Sequence, residues 1–360
     1  MRFSTRFWLP LALVGCLGGC EKEQHETTAA PVASLDKTAG IDPALAKAVA
    51  AASAAAVKGG AAAGSGQPGQ PPPNGIFPPG AADREMPKGS PPKVTLGGAG
   101  SEPRVKLGPS VPKPGFKTTG TFDLAVQADS RQGALPVKVA VSLEAAKAKT
   151  EGAAPAAGSE PVLVTVKVVG AKLGIAGAPA DLEARFAKLK GSKVEYQIAP
   201  DGATGGFRTE LSAGAEETRD HLRVLSDVLA LVTLPMPSEP VGSGAMWMVG
   251  TREGVFGLDL VTYRLVKVEA VTADSATLSV SARRYATSNR FDFEGLPADA
   301  PRELAEFESK SEGKLVYKVG TPLPASGDFD SVLAAQLAMP NQQRGVVQIS
   351  SRVGLDLGKH

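Results

Sequence analysis

Cysteine is almost absent from this chain of 360 residues: there are two, Cys16 and Cys20. Both lie at the start, so no disulfide framework can staple the body. The three histidines, His25, His221 and His360, are far apart in sequence. No pair has ligand spacing and no thiol follows residue 20, so a metal site is not expected. Aromatic residues make up 5% of the chain. Charge of one sign is lacking as well. Lys+Arg number 39 against Asp+Glu 37, and Arg2 and Arg6 fall in the first nineteen residues, which hold no acid. The remainder is neutral, with no surplus of positive charge to bind nucleic acid or an anionic leaflet.

What is present begins with an address. Arg2 and Arg6 precede an apolar stretch from Phe7 to Leu17, too short for a permanent membrane span. Leu17-Gly18-Gly19-Cys20 closes it. This resembles the lipobox of bacterial lipoproteins, in which the cysteine after the small residues is diacylated and becomes the new N-terminus. The resemblance implies a signal peptide over 1–19, lipidation at Cys20 and a membrane-anchored protein of the bacterial cell envelope. Each acyl methylene buried in the bilayer adds about 0.8 kcal/mol, so two or three chains make a durable anchor.

Residues 21–115 hold fifteen of the 29 prolines and one aromatic, Phe77. Such a composition cannot offset an ordering cost of about 1–2 kcal/mol per residue. A disordered tether over 20–115 is expected, with an r.m.s. reach on the order of 50 Å for a flexible chain of that length. Within it, Asp42-Pro43 followed by an Ala-rich run to Lys58 carries a helix start signal.

From residue 116 to 360 the pattern changes to period two. Phe122-Leu124-Val126, Val137-Val139-Val141-Leu143, Val194-Tyr196-Ile198 and Ala276-Leu278-Val280 alternate with polar or small neighbours. Val162–Val169 is more continuously apolar, and Phe207–Leu211, Val261–Leu265, Leu315–Val319, Val347–Ile349 and Val353–Leu355 complete the set. The alternation predicts antiparallel strands with one buried face. Helices are predicted over 179–190 and, more strongly, over 216–232, where Leu222, Leu225, Leu229 and Val232 form one row. The expected fold is mainly β (α+β): a large curved antiparallel sheet or half-barrel, one domain, with one main helix packed on its concave side.

After that helix comes Pro240-Val-Gly-x-Gly-x-x-Trp247. The motif resembles a group of uncharacterised bacterial lipoproteins, and the layout is similar in outline to half-barrel carriers that hold acyl chains under a helical lid. The motif lacks the Gly-Lys-Ser/Thr ending of a phosphate loop and precedes a strand, so a tight bend plugged by Trp247 is the expected reading.

No catalytic constellation emerges. Ser311-Glu-Gly-Lys314 matches Ser-x-x-Lys but is expected in a turn, and Ser90-Pro-Pro-Lys93 matches equally well inside the tether. Asp220, His221 and Ser226 share one helix, which does not make a triad. The acidic pairs Asp292/Glu294 and Asp328/Asp330 are expected in solvated turns. No cofactor is expected. The functional expectation is a non-enzymatic binding module for an apolar ligand, lined by Leu225, Leu229, Trp247, Leu278 and Val280. The alternative is a structural or assembly scaffold of the envelope. An accessible space between sheet and helix favours the first and a filled one the second.

Overall fold

The structure, a computed structural model, describes residues 72–108, 111–127, 134–148, 160–255, 257–291, 303–319, 321–338 and 344–359. Cys20, the leader, the 42–58 segment and the Asp292/Glu294 pair lie outside the described residues.

The chain is mainly β. Helix α1 (Ala81–Glu85) and strand β1 (Lys93–Gly98) come first, followed by β2 (Lys117–Gln127), β3 (Leu135–Lys147) and β4 (Val162–Leu173). Helix α2 (Ala180–Ala187), β5 (Lys193–Ile198) and β6 (Thr204–Glu210) precede a 3-10 turn (Glu216–Thr218) and helix α3 (Arg219–Val232). The remaining strands are β7 (Met246–Val255), β8 (Leu258–Val271), β9 (Ser275–Ala286), β10 (Leu304–Lys318), β11 (Ser326–Ala338) and β12 (Arg344–Lys359). All twelve strands belong to one sheet, in the order β1-β7-β8-β9-β10-β11-β12-β2-β3-β4-β5-β6, with every ladder antiparallel.

This order is a single meander entered part-way. The last strand, β12, pairs with β2, so the two ends of the meander are β6 and β7, and α3 is the connection between them. The sheet curls until β6 lies against β7, yet it does not close. Strand β1 already holds the edge of β7, in the register Val94↔Val249 and Leu96↔Trp247. A backbone edge can serve only one ladder, so β6 is left beside β7 without joining it.

Helix α3 fills the space inside. Ten of its fourteen residues are buried, and its Leu222, Leu225, Leu229 and Val232 join the inward faces of nearly all strands in one core that includes Phe122, Tyr196, Trp247, Leu278 and Phe329. The helix ends where Thr233 turns extended and its hydroxyl donates to the Leu229 carbonyl at 2.7 Å. Pro235 and Pro237 then prevent its continuation.

The tether boundary needs correction. Residues 72–108 and 111–115, assigned to an unstructured segment by their prolines, are placed: β1 pairs with β7, and Ile76, Ala82, Met86 and Leu107 are buried, while most of the other residues are exposed. Ile76 bridges Ala286, and the Phe307 amide donates to Asn74. Met86 and Ala82 bury themselves beside Met248, Val261 and Tyr263. Arg252 clamps Asp259 through two hydrogen bonds of 2.9 and 2.7 Å, and also reaches Asp83 and the Met86 carbonyl. The Gly-rich motif holds the next stretch: Val105 and Val241 exchange both backbone hydrogen bonds at 2.9 Å, and Gly242 donates to Ala99. A Cβ at Gly242 would sit 1.7 Å from the Ser101 carbonyl oxygen, which is why a side chain is excluded there. Proline density misled because these prolines lie between segments that need only a few anchors each.

Two smaller corrections concern β10 and β11. Ser311 and Lys314 are within β10 rather than in a turn, and Asp328 and Asp330 are within β11. Asp330 there accepts from Arg352 of the neighbouring strand at 2.8 Å.

A chain beginning at residue 116 loses Met86 and Leu107 from the core. Each such loss costs about 2–5 kcal/mol, so its thermal midpoint should fall by about 10 °C or more relative to a chain beginning at residue 72. Equal midpoints in calorimetry would show that the segment contributes nothing to folding.

Candidate functional site

The inward faces of β7, β8 and β9 carry polar residues in the middle of the apolar core. Thr251 and Glu253 on β7, Thr262 and Arg264 on β8, and Arg284 on β9 are all buried. Thr251, Thr262 and Arg284 are cross-strand neighbours in register. Farther along the same face come Ser311, Ser331 and Ser351, also in register across β10, β11 and β12. The Ser311 and Ser331 hydroxyls are 2.9 Å apart. This polar belt separates the main core from a second cluster built on Leu258, Leu260, Phe307, Leu333 and Leu337.

Four charges meet in the belt and cancel. Glu253 accepts from Arg264 Nη2 at 2.6 Å, from Thr262 Oγ1 at 2.6 Å and from Arg284 Nε at 3.2 Å. Arg264 also donates to Thr251 Oγ1 at 2.6 Å and to the Ala230 carbonyl of α3 at 3.0 Å. Arg284 Nη1 lies 2.7 Å from Oδ1 of Asp227, again on α3. Burial works to raise the Glu253 carboxyl, but the two guanidiniums outweigh it and hold the group below the usual range. At Asp227 burial wins: its carboxyl is pushed up, with Arg284 opposing and the Glu253 charge adding to the rise. Arg284 is raised despite its burial, because Asp227 and Glu253 both face it.

The leucine row of α3 faces the main core. The five residues expected to line an apolar site, Leu225, Leu229, Trp247, Leu278 and Val280, are brought together in the main core, each no more than 2% exposed. Trp247 Nε1 has no acceptor there. The Tyr317 hydroxyl donates to the Val232 carbonyl at the end of α3. Burial pushes the Tyr196 hydroxyl up to about 12.

A cavity of about 170 Å³ lies at the seam between β6 and β7 and shares Asp227 with the charged cluster. It is lined by Phe207 and Thr209 of β6, by Arg223, Ser226, Asp227 and Ala230 of α3, and by Gly254, Val255 and Gly257. Nothing in the residue pattern announces it. Its residues come from three separate segments, and the belt residues read only as the inward positions of ordinary strands.

The remaining sequence candidates do not converge. Ser311 is buried while Lys314 is exposed on the opposite face of β10, so they form no dyad. His221 is buried at the start of α3, edge-on to Phe186 at 4.9 Å, away from any serine partner. No group of three metal-ligating side chains occurs among the described residues, and no described helix is long and apolar enough to cross a membrane. No protein-family model matches the chain, and no curated protein matches it.

Two outcomes follow from these environments. Glu253→Ala leaves two buried guanidiniums with one carboxylate, and should cost about 3–5 kcal/mol in denaturant unfolding; a change below 1 kcal/mol would mean that the cluster is hydrated. Burial lowers the His221 pKa, with the Leu135 backbone and Asp220 opposing. Folding therefore binds fewer protons there. That stabilisation is complete above the ordinary histidine value of 6.5 and is lost as pH falls below it. His221→Phe should flatten the stability profile between about pH 6.5 and 5, and an unchanged slope would assign it to other groups.

Proposed function

We propose that this chain is a lipid-anchored protein of the bacterial cell envelope, held to the membrane through acylated Cys20, whose β domain works through its exterior as a structural or assembly scaffold. Support for the anchor is the charged leader and Leu-Gly-Gly-Cys20. Support for the scaffold reading is one observation: the leucine row of α3, Leu222, Leu225, Leu229 and Val232, is buried in the one main core with the inward residues of the sheet. A carrier of apolar ligands needs interior room at Leu225, Leu229, Trp247, Leu278 and Val280, and all five are buried members of the main core. The seam cavity is lined largely by polar groups and glycines, and does not substitute for such a site. The Gly-rich motif has a packing role that fits the same reading, because Gly242 and Val241 seat residues 99–105. The likeness of that motif to uncharacterised lipoproteins remains part of the proposal and supplies no activity.

Two measurements test it. Radiolabelled palmitate should enter the wild-type chain in a bacterial host and be lost in Cys20→Ser; label retained in the variant removes the anchor. In the processed chain Trp247 is the sole tryptophan. Its emission should be blue-shifted and unaffected by titration with an apolar dye such as N-phenylnaphthylamine. Saturable quenching would return the domain to the apolar-binding reading.

A further inference from the structure

Residues 72–98 lie on the sheet as one strap, anchored to β7, β8, β9 and β10. The Phe307 amide donates to Asn74 at 2.9 Å, and Gly75 and Phe77 exchange backbone hydrogen bonds with Ala286 at 2.9 and 2.8 Å. Ala82 and Met86 of α1 are buried with Met248, Val261 and Tyr263. The Tyr263 hydroxyl donates to Glu85 at 2.9 Å, Arg252 donates to Asp83, and β1 runs along the β7 edge. Met248, Val261 and Tyr263 alternate with the inward Trp247, Thr262 and Arg264, so they stand on the outer face of the sheet. That face is apolar where the strap lies on it.

The strap joins the rest of the chain through Gly97-Gly98-Ala99-Gly100. Gly100 has a structural reason, since a Cβ there would stand 2.4 Å from the Gly242 carbonyl oxygen. Gly97 and Gly98 have none. Neither has a positive φ, a Cβ at Gly97 would meet its nearest atom at 3.5 Å, and one at Gly98 would meet nothing within 4 Å. A glycine within a strand costs about 0.5–1 kcal/mol relative to alanine, and neither packing nor backbone geometry requires these two. What they supply is conformational freedom at the end of the strap. Beyond them the chain is seated again: Ala99 accepts from Gly242 at 2.8 Å, Ser101 donates to Ser243 at 2.9 Å, and Leu107 enters the main core.

We propose that Gly97 and Gly98 are a hinge on which two copies of the chain exchange straps. Each copy lays its residues 72–96 on the outer face of the other's β7, β8 and β9, with its β1 on the other's β7 edge. The occupant is fixed by the contacts themselves. A second copy's strap brings the same Ala82, Met86, Asp83 and Glu85 to the same Met248, Tyr263 and Arg252, and only the hinge changes course. The exchange is reciprocal, so it closes at a two-fold dimer. Because both forms make the same contacts, the hinge and the protein concentration set the balance. A strap on a short flexible hinge competes for its own site with an effective concentration on the order of millimolar. Exchange therefore sets in as the protein approaches that concentration. The pairing goes beyond the scaffold reading and needs neither the leader nor the Cys20 anchor, so its failure leaves those untouched.

Thr95 and Met248 are opposed in the β1–β7 ladder. Opposed residues of an antiparallel pair have Cα atoms about 4.5–5.5 Å apart, within reach of a disulfide. The full-length chain carrying Thr95→Cys and Met248→Cys is oxidised in detergent at micromolar and at near-millimolar concentration, then run on non-reducing gels. Each single variant is the control for Cys16 and Cys20. The dilute sample should give a monomer linked within one chain. The concentrated sample should give at least tenfold more dimer linked between chains, absent from both single variants. Light scattering reads the wild type without any cysteine: a dimer should form near millimolar concentration, and the variant locked as a monomer should form none until reduced. Gly97→Val with Gly98→Val, at exposed positions with room for a side chain, holds the hinge extended and should lower the dimer at least fivefold with the fold intact. No wild-type dimer overturns the proposal. So does linkage within one chain at every concentration, a dimer formed equally by the locked variant, or a dimer unchanged by the valines.

Discussion

The contact on which the rest of the domain depends is Glu253 between Arg264 and Arg284. A buried carboxylate with two guanidiniums is tolerable only when every charge is matched, and the match here is completed by Asp227 from the helix. The ion cluster therefore specifies where α3 must lie. The Ala230 carbonyl, accepting from Arg264, repeats the instruction one turn farther along. Apolar packing alone would allow α3 to slide or rotate among similar leucine and valine contacts; the charges remove that freedom by leaving any other position with an unpaired ion.

The position of α3 in turn explains why the sheet is curled but open. The helix joins β6 to β7, the ends of the meander, and carries an apolar surface wide enough to be covered on most sides. Covering it draws the sheet around. Strand β1 then takes the β7 edge, so the curl stops short of a closed barrel and leaves a seam. The segment before β2, clamped by Arg252 and the Gly242 bend, is thus part of the architecture. It fixes the edge at which closure would otherwise occur.

Much of this was legible in the residues. Period-two alternation, with a continuously apolar run at β4, located β2 to β6, β8 to β10 and two stretches of β12, and the leucine row of α3 announced a helix buried on more than one face. Strand β11 was missed because its Ala334, Ala335 and Ala338 carry little strand preference; pairing on both sides, with β10 and β12, overrides that. The placement of residues 72–115 was missed because composition averages over a segment, whereas packing needs only Ile76, Ala82, Met86 and Leu107. The five residues expected to line an apolar site are all buried in the main core, as their inward faces imply. Whether they enclosed space or filled it depended on volumes contributed by all the other strands, which no local pattern encodes. The charged cluster and the seam cavity were invisible for a related reason, since their members are separated by up to 57 positions, from Asp227 to Arg284.

Ion pairing locks α3 into the interior as one cooperative unit with the sheet. Native-state hydrogen exchange of the α3 amides reads that coupling. In the wild type, the amides of Leu225, Val228 and Leu229 should exchange only by global unfolding, with the same free energy as the slowest amides of β8 and β9. In Glu253→Gln the helix should become separable, exchanging at lower free energy than the sheet. Protection of α3 that is already far below that of β8 and β9 in the wild type would contradict the account.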